Sequence, residues 1–147
     1  MSILRRNTDY ALRAMVNLAG HYGGDVVATR QLSTEEDISY QYAAKIMQLL
    51  HAAGLVKSTM GPHGGFSLAR PPEKVSLLDI IKAVQGSVSL NDCFLDVDAC
   101  PRRPTCVISA KIAGLQEYIE RSLAGITLAE FATDSMPEQV KPGKETK

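Results

Sequence analysis

The sequence predicts a mainly α-helical chain with one small β-hairpin, and three observations lead to that expectation. Apolar residues recur every three or four positions over most of the chain. A single glycine-rich run, Gly61-Pro62-His63-Gly64-Gly65, separates two short β-prone stretches. Late in the chain a seam of apolar residues follows near-heptad spacing.

Ala11, Leu12, Met15, Val16, Leu18 and Ala19 lie at helical spacing, so residues 8–19 are expected to form an amphipathic helix, capped by Asn7 or Thr8 and stopped at Gly20. Gly23 and Gly24 make a turn. Val26 and Val27 suggest a short strand, and Thr29 is placed to cap a second helix that runs to about Glu36 and buries Leu32. Ser39 caps a third helix. Its inner face carries Ala43, Ile46, Met47, Leu50 and Ala53, its outer face Gln41, Lys45 and Gln48, and Gly54 closes it.

Residues 55–60 and 66–69 read as the strands of the hairpin. Pro71 and Pro72 break the chain, after which Ser76 can cap a short helix burying Leu77, Ile80, Ile81 and Val84 before Gly86. Residues 91–106, rich in Asp, Pro and Arg, have no regular period and read as a loop built around cysteines. Ile108, Ile112, Leu115, Ile119 and Leu123 then predict a long helix with a narrow apolar seam. The polar tail from Asp134 is expected to be disordered.

Composition fits one domain with an appendage: 147 residues, 45% hydrophobic and 22% charged. No apolar run approaches the roughly 18–20 residues that cross a bilayer, and the first residues lack the apolar stretch of a signal peptide. The expected location is cytoplasmic, with no membrane partner. Net charge is zero, sixteen basic against sixteen acidic side chains, which by itself points away from a polyanionic partner. The charge is unevenly placed, however. Residues 1–74 hold eight basic and six acidic groups (+2), residues 75–147 eight and ten (−2). Between Ile38 and Lys74, Lys45, Lys57, Arg70 and Lys74 face Glu73 alone, so an anion-binding face belongs there.

Helix, turn, helix and then a glycine-tipped hairpin, all within the basic segment, is the order of a winged helix-turn-helix. An outer face of Gln and Lys suits the major groove, where amides and ammoniums meet base edges and phosphates. A hairpin tip of Gly61, His63 and Gly64 lets the main chain approach the DNA backbone closely. On an isolated helix, Gln41, Lys45 and Gln48 would read as a solvated face; the basic hairpin that follows favours nucleic acid.

The residues 8–13 (TDYALR), 38–46 (ISYQYAAKI), 53–56 (AGLV), 126–128 (ITL) and above all 61–69 (GPHGGFSLA) resemble the Rrf2-type family of bacterial winged-helix transcription regulators over about residues 1–130. The resemblance implies a homodimer joined through the long C-terminal helix. It also implies operator binding by residues 39–48, among them Ser39, Tyr40, Gln41, Lys45 and Gln48, and by the wing. The expected organisation is a DNA-binding domain at 1–86, a cysteine loop at 87–106, a dimerisation helix at 107–133 and a tail at 134–147. The expected partner is a double-stranded, palindromic operator, and the expected action is repression.

Cys93, Cys100 and Cys106 are an odd set within fourteen positions. In a reducing compartment this argues against a disulfide framework and for a metal site or reactive thiols. Thiolates suit an iron–sulfur cluster, of two or four irons, better than harder ions. Structural zinc, a thiol switch, or a metal-stabilised interaction domain without operator specificity are the alternatives. The resemblance favours the cluster, because iron–sulfur members of the family carry three cysteines in this place; a signal of nitric oxide, cluster status or redox stress goes with it. Members similar to IscR add a His shortly after the third cysteine, where this chain has Ser109. Members similar to NsrR can use the Asp of the TDYALR segment, which makes Asp9 the expected fourth ligand. Its alternative role is a first-turn carboxylate stabilised by the helix dipole. His21 and His51 read as surface residues, and Arg102 and Arg103 as solvated. No triad, phosphate loop or paired catalytic carboxylates support an enzyme.

Overall fold

The computed structural model describes residues 3–96, 98 and 100–133. Among these described residues, six α-helices and one hairpin follow in the order α1 (Arg6–Gly20), α2 (Thr29–Glu35), α3 (Tyr40–Ala52), β1 (Val56–Thr59), β2 (Gly65–Leu68), α4 (Leu77–Gln85), α5 (Val107–Gly125) and α6 (Leu128–Thr133). The mainly helical winged-helix expectation is met. The expected tail at 134–147 lies outside the described residues.

Helix α1 buries Thr8, Ala11, Ala14, Met15, Leu18 and Ala19, one continuous stripe at helical spacing. It begins two residues before the expected start, with Arg5 as N-cap and no side-chain cap. The cause is tertiary. Thr8 is buried inside the first turn, where its hydroxyl donates to Gln85 Oε1 at 2.6 Å, and the same oxygen accepts the Arg5 N–H at 3.1 Å. A group at the far end of α4 thus does what a local cap would do.

The strand expected at Val26–Val27 shrinks to one antiparallel bridge, in which Val27 and Phe66 exchange backbone hydrogen bonds of 2.9 and 2.8 Å. That bridge fixes where the chain leaves the sheet, so Ala28 is the N-cap of α2 and Thr29 is its first helical residue instead of its cap. Asn17 ties α2 to α1: its amide donates to Glu35 at 2.7 Å and to Glu36 at 2.9 Å. Hydrogen bonds from Asn17, and then from Gln31, hold the Glu35 carboxyl below its ordinary value.

Helix α3 follows the expected pattern. The Ser39 hydroxyl accepts the Tyr42 N–H at 3.2 Å, Ala43, Ile46, Met47 and Leu50 are buried, and Gly54 ends the helix at φ 75°. Ala53, expected on the inner face, is exposed at the C-cap. Strands β1 and β2 pair Val56 with Leu68 through to Thr59 with Gly65. Ser76 and Asp79 form a reciprocal capping box at the start of α4.

Met15, Leu18, Leu32, Ile46, Met47, Leu50, Ile80 and Leu128 form the centre of one core, each side chain contributing about 1.5–3 kcal/mol on burial. Helix α1 packs against α3, α4 and α6. Leu128 arrives late: the Ile126 carbonyl accepts the Leu77 N–H at 2.9 Å, and the Leu128 N–H donates to Val75 at 2.8 Å. Residues 126–128 therefore form a bridge beside α4 after α5 has ended, and the single helix expected over 107–133 is two.

The seam expected on α5 divides. Ile112, Ile119 and Leu123 are half-buried, whereas Ile108 and Leu115 are 68% and 58% exposed. At roughly 100° per residue, the five residues straddle the edge of the contact with the body. Gln116 sets that contact, donating to the Val88 carbonyl at 2.6 Å and accepting the Leu90 N–H at 2.9 Å. The open side, completed by Val107 and Tyr118, faces solvent. No helix among the described residues is long and apolar enough to cross a membrane.

Candidate functional site

Two regions collect the residues singled out by the sequence. On the first, Gln41, Lys45 and Gln48 stand exposed along the outer side of α3, spaced so that all three share that side. Ser39 and Tyr40 are exposed at the helix start. Of these, Tyr40 borders the wing tip. Gly61 adopts φ 110°, and a Cβ at Gly64 would collide with the Thr59 carbonyl oxygen, so the tip needs glycine at both positions.

Tyr40, Gly61 and Gly64 line one cleft of about 390 Å³ between the wing and the starts of α2 and α3. His63 lies on the other flank of the wing, bordering a separate cavity with Asp25 and Gln31. Two residues missed by the sequence reading belong to this region. Arg30 lines the same cleft, its guanidinium 5.2 Å from the centre of the Tyr40 ring. It sits on α2, outside the segment singled out by charge, and only the packing of α2 beside α3 brings it there. Met60, at the wing tip, is 90% exposed; an apolar residue next to the glycine run was its only sequence signal.

The second region lies between α4 and α5. Cys93 sits in a 3₁₀ turn at Asp92–Phe94, and a second turn spans Arg103–Thr105. Cys106 is the N-cap of α5, its sulfur accepting the Ser109 N–H at 3.5 Å. That end of a helix stabilises negative charge. Cys100, Cys106 and Ser109 line a cavity of about 770 Å³ together with Phe94, Asp98 and Arg103. Cys93 is not in its wall, although its neighbour Phe94 is.

Asp9 is elsewhere. It stands on the first turn of α1, pairs with Arg13 at 3.1 Å and is about half exposed. The cavity wall carries the carboxylate of Asp98, which nothing in the sequence sets apart from the other acidic residues of the loop. Among the described residues no three His, Cys, Asp or Glu side chains gather closely enough to hold a metal ion. Arg103, expected to be solvated, has a buried Nη1 without a hydrogen-bond partner.

A family model for iron-dependent transcriptional regulators matches residues 4–134. The HTH-type transcriptional regulator IscR of Aliivibrio salmonicida is 31% identical over 131 residues, covering 89% of this chain and 77% of the relative. The HTH-type transcriptional regulator NsrR of Halalkalibacterium halodurans is 29% identical over 129 residues, covering 86% and 88%. The structure of T. potens IscR superposes with a TM-score of 0.72 at 28% identity, covering 95% of this chain and 93% of that one.

Proposed function

The chain belongs to the Rrf2 family of transcriptional regulators, and from that premise we propose that it is a cytoplasmic, homodimeric repressor whose grip on a palindromic DNA operator is set by an iron–sulfur cluster. The observation that carries the DNA reading is the shared cleft between the start of α3 and the glycine tip of the wing. Tyr40 at the start of α3, Arg30 of α2 and the closely approachable main chain of the wing share that cleft, and the exposed Gln41, Lys45 and Gln48 continue from Tyr40 along α3, an arrangement that suits groove and backbone contacts. Gln41, Lys45 and Gln48 meet base edges and phosphates, Ser39 and Tyr40 the adjoining backbone, and Gly61, His63 and Gly64 the neighbouring groove.

The residues around the cysteine cavity fit a cluster. Two soft sulfur donors open on one space, the N-terminus of α5 favours an anion there, and a buried guanidinium nitrogen lacks an acceptor. Cys93, Cys100 and Cys106 would hold the group, with a carboxylate completing the set. Asp9 is the carboxylate implied by family resemblance; Asp98 is the one that lines the cavity of a single protomer. When bound, a cluster supplies iron that reacts with nitric oxide or oxygen. Cys106 caps α5, so a ligand drawing on its sulfur acts on the first turn of that helix. Helix α5 packs on α4, and α4 on α3. In the dimer, with the open side of α5 as the joint, this path alters the spacing of the two recognition helices.

The sharing of one cavity by Cys100 and Cys106 also favours a second reading, a thiol pair without iron. Anaerobic purification with absorption, iron and sulfide analysis separates the two: a colourless chain holding a single zinc, or no metal, removes the cluster. Operator binding is tested by fluorescence anisotropy on a palindromic promoter fragment. Equal affinity for random DNA at moderate salt removes the DNA reading.

A further inference from the structure

Arg103 is fixed from both sides by the cysteines. Its N–H donates to the Cys100 carbonyl at 3.2 Å, and its own carbonyl accepts the Cys106 N–H at 3.4 Å. Its guanidinium carbon lies 5.8 Å from the centre of the Phe94 ring, in the wall of the cavity that Cys100 and Cys106 share. Arg102, its neighbour, points into solvent. Burying a charged N–H without an acceptor is strongly unfavourable, yet Arg103 Nη1 is buried and unpartnered. Asp98 lines the same cavity but makes no ion pair with it among the described residues. Arg103 as a residue lines the cavity, and a permanently charged guanidinium with a buried, unpaired nitrogen there is stabilised by an anion beside it.

Resting on the cluster reading above, we propose that Arg103 is a positioning residue of the cysteine site, holding its guanidinium on Phe94 to donate to the sulfurs of a thiolate-bound cluster and offset its charge. Several thiolates outweigh the charge of an iron–sulfur core, so the assembly is anionic. Hydrogen bonds to sulfur and local charge are what set a cluster's potential. Reduction adds one more negative charge, so a fixed cation beside the cluster favours the reduced form and raises the midpoint. Phe94 supplies the other half of the device: its ring holds the guanidinium in place.

The full chain tests this, purified anaerobically as wild type, Arg103→Met, Arg103→Gln and Arg103→Lys. Iron and sulfide content, iron release to a chelator and the midpoint potential are measured, with circular dichroism as a control for folding. The two neutral variants are expected to shift to a more negative midpoint and to release iron roughly tenfold or more faster, while Arg103→Lys stays near wild type. Equal midpoints and release rates in all four proteins overturn the role of Arg103 and leave the cluster reading standing. A fourfold result in which only the neutral variants lose helicity also overturns it, assigning Arg103 to folding. A wild-type chain that takes up neither iron nor sulfide overturns the cluster reading itself, and this inference with it.

Discussion

The rings of Tyr10 and Tyr42 meet edge to face, with centroids 5.5 Å apart and planes at 85°. The contact joins α1 to α3, two residues beyond the start of that helix. Arg13 lies over the ring of Tyr10 at 5.8 Å and pairs with Asp9 at 3.1 Å. Asp9 is thus linked through Arg13 and Tyr10 to the turn that Ser39 caps.

Replacing Tyr10 by Leu removes the ring pair but keeps an apolar side chain. The expected loss is about 0.5–1.5 kcal/mol of stability, read from urea unfolding. Operator affinity is expected to fall too, because the first turn of α3 loses its lateral support. A variant with normal affinity would make this contact a matter of stability alone.

Gly64→Ala is expected to disable the wing. Its Cβ would meet the Thr59 carbonyl oxygen, which is backbone and has no side-chain freedom to give way. Gly20, where a Cβ meets nothing within 4 Å, is the control. Gly20→Ala should leave both thermal unfolding and DNA binding near wild type, while Gly64→Ala loses operator binding with the helices intact by circular dichroism.

Arg30→Ala tests whether the cleft between α3 and the wing receives a phosphate. If Arg30 makes one such contact, the dependence of log affinity on log salt loses about one unit of slope, and affinity falls on specific and random DNA alike. An unchanged slope leaves Arg30 as packing for Tyr40.

Asp9 and Asp98 are the two carboxylate candidates for the fourth ligand of the proposed cluster. Asp9→Ala and Asp98→Ala, each compared anaerobically with wild type, are expected to differ: the variant lacking the ligand shows an altered absorption spectrum and faster reaction with nitric oxide. If Asp9→Ala has the wild-type spectrum, its carboxylate acts only through Arg13 and the helix dipole, an exposed contribution of about 0.3–1 kcal/mol.

Local chemistry made much of this molecule legible in advance. Ser39 and Gly54 bracket α3 because a hydroxyl can accept an unpaired N–H and glycine tolerates a positive φ, and neither property needs the rest of the fold. The alternation of apolar and polar residues on α3, the glycine-tipped hairpin and the clustered cysteines were legible for the same reason. What lay beyond the sequence are relationships between distant segments. Gln85 replaces the expected cap of α1, seventy-seven positions from Thr8. Val27 surrenders its strand to a single bridge with Phe66, and Gln116 turns α5 so that its apolar seam is half covered and half open. Arg30 reaches the cleft beside Tyr40 and the wing, and Arg103 turns inward beside Cys100 and Cys106, only because packing brings them there. The sequence by itself determined which helices form, where most of them stop and which chemistries are present. The tertiary structure decided which of those chemistries share a cavity, since burial and hydrogen-bond partners depend on the neighbours that folding supplies.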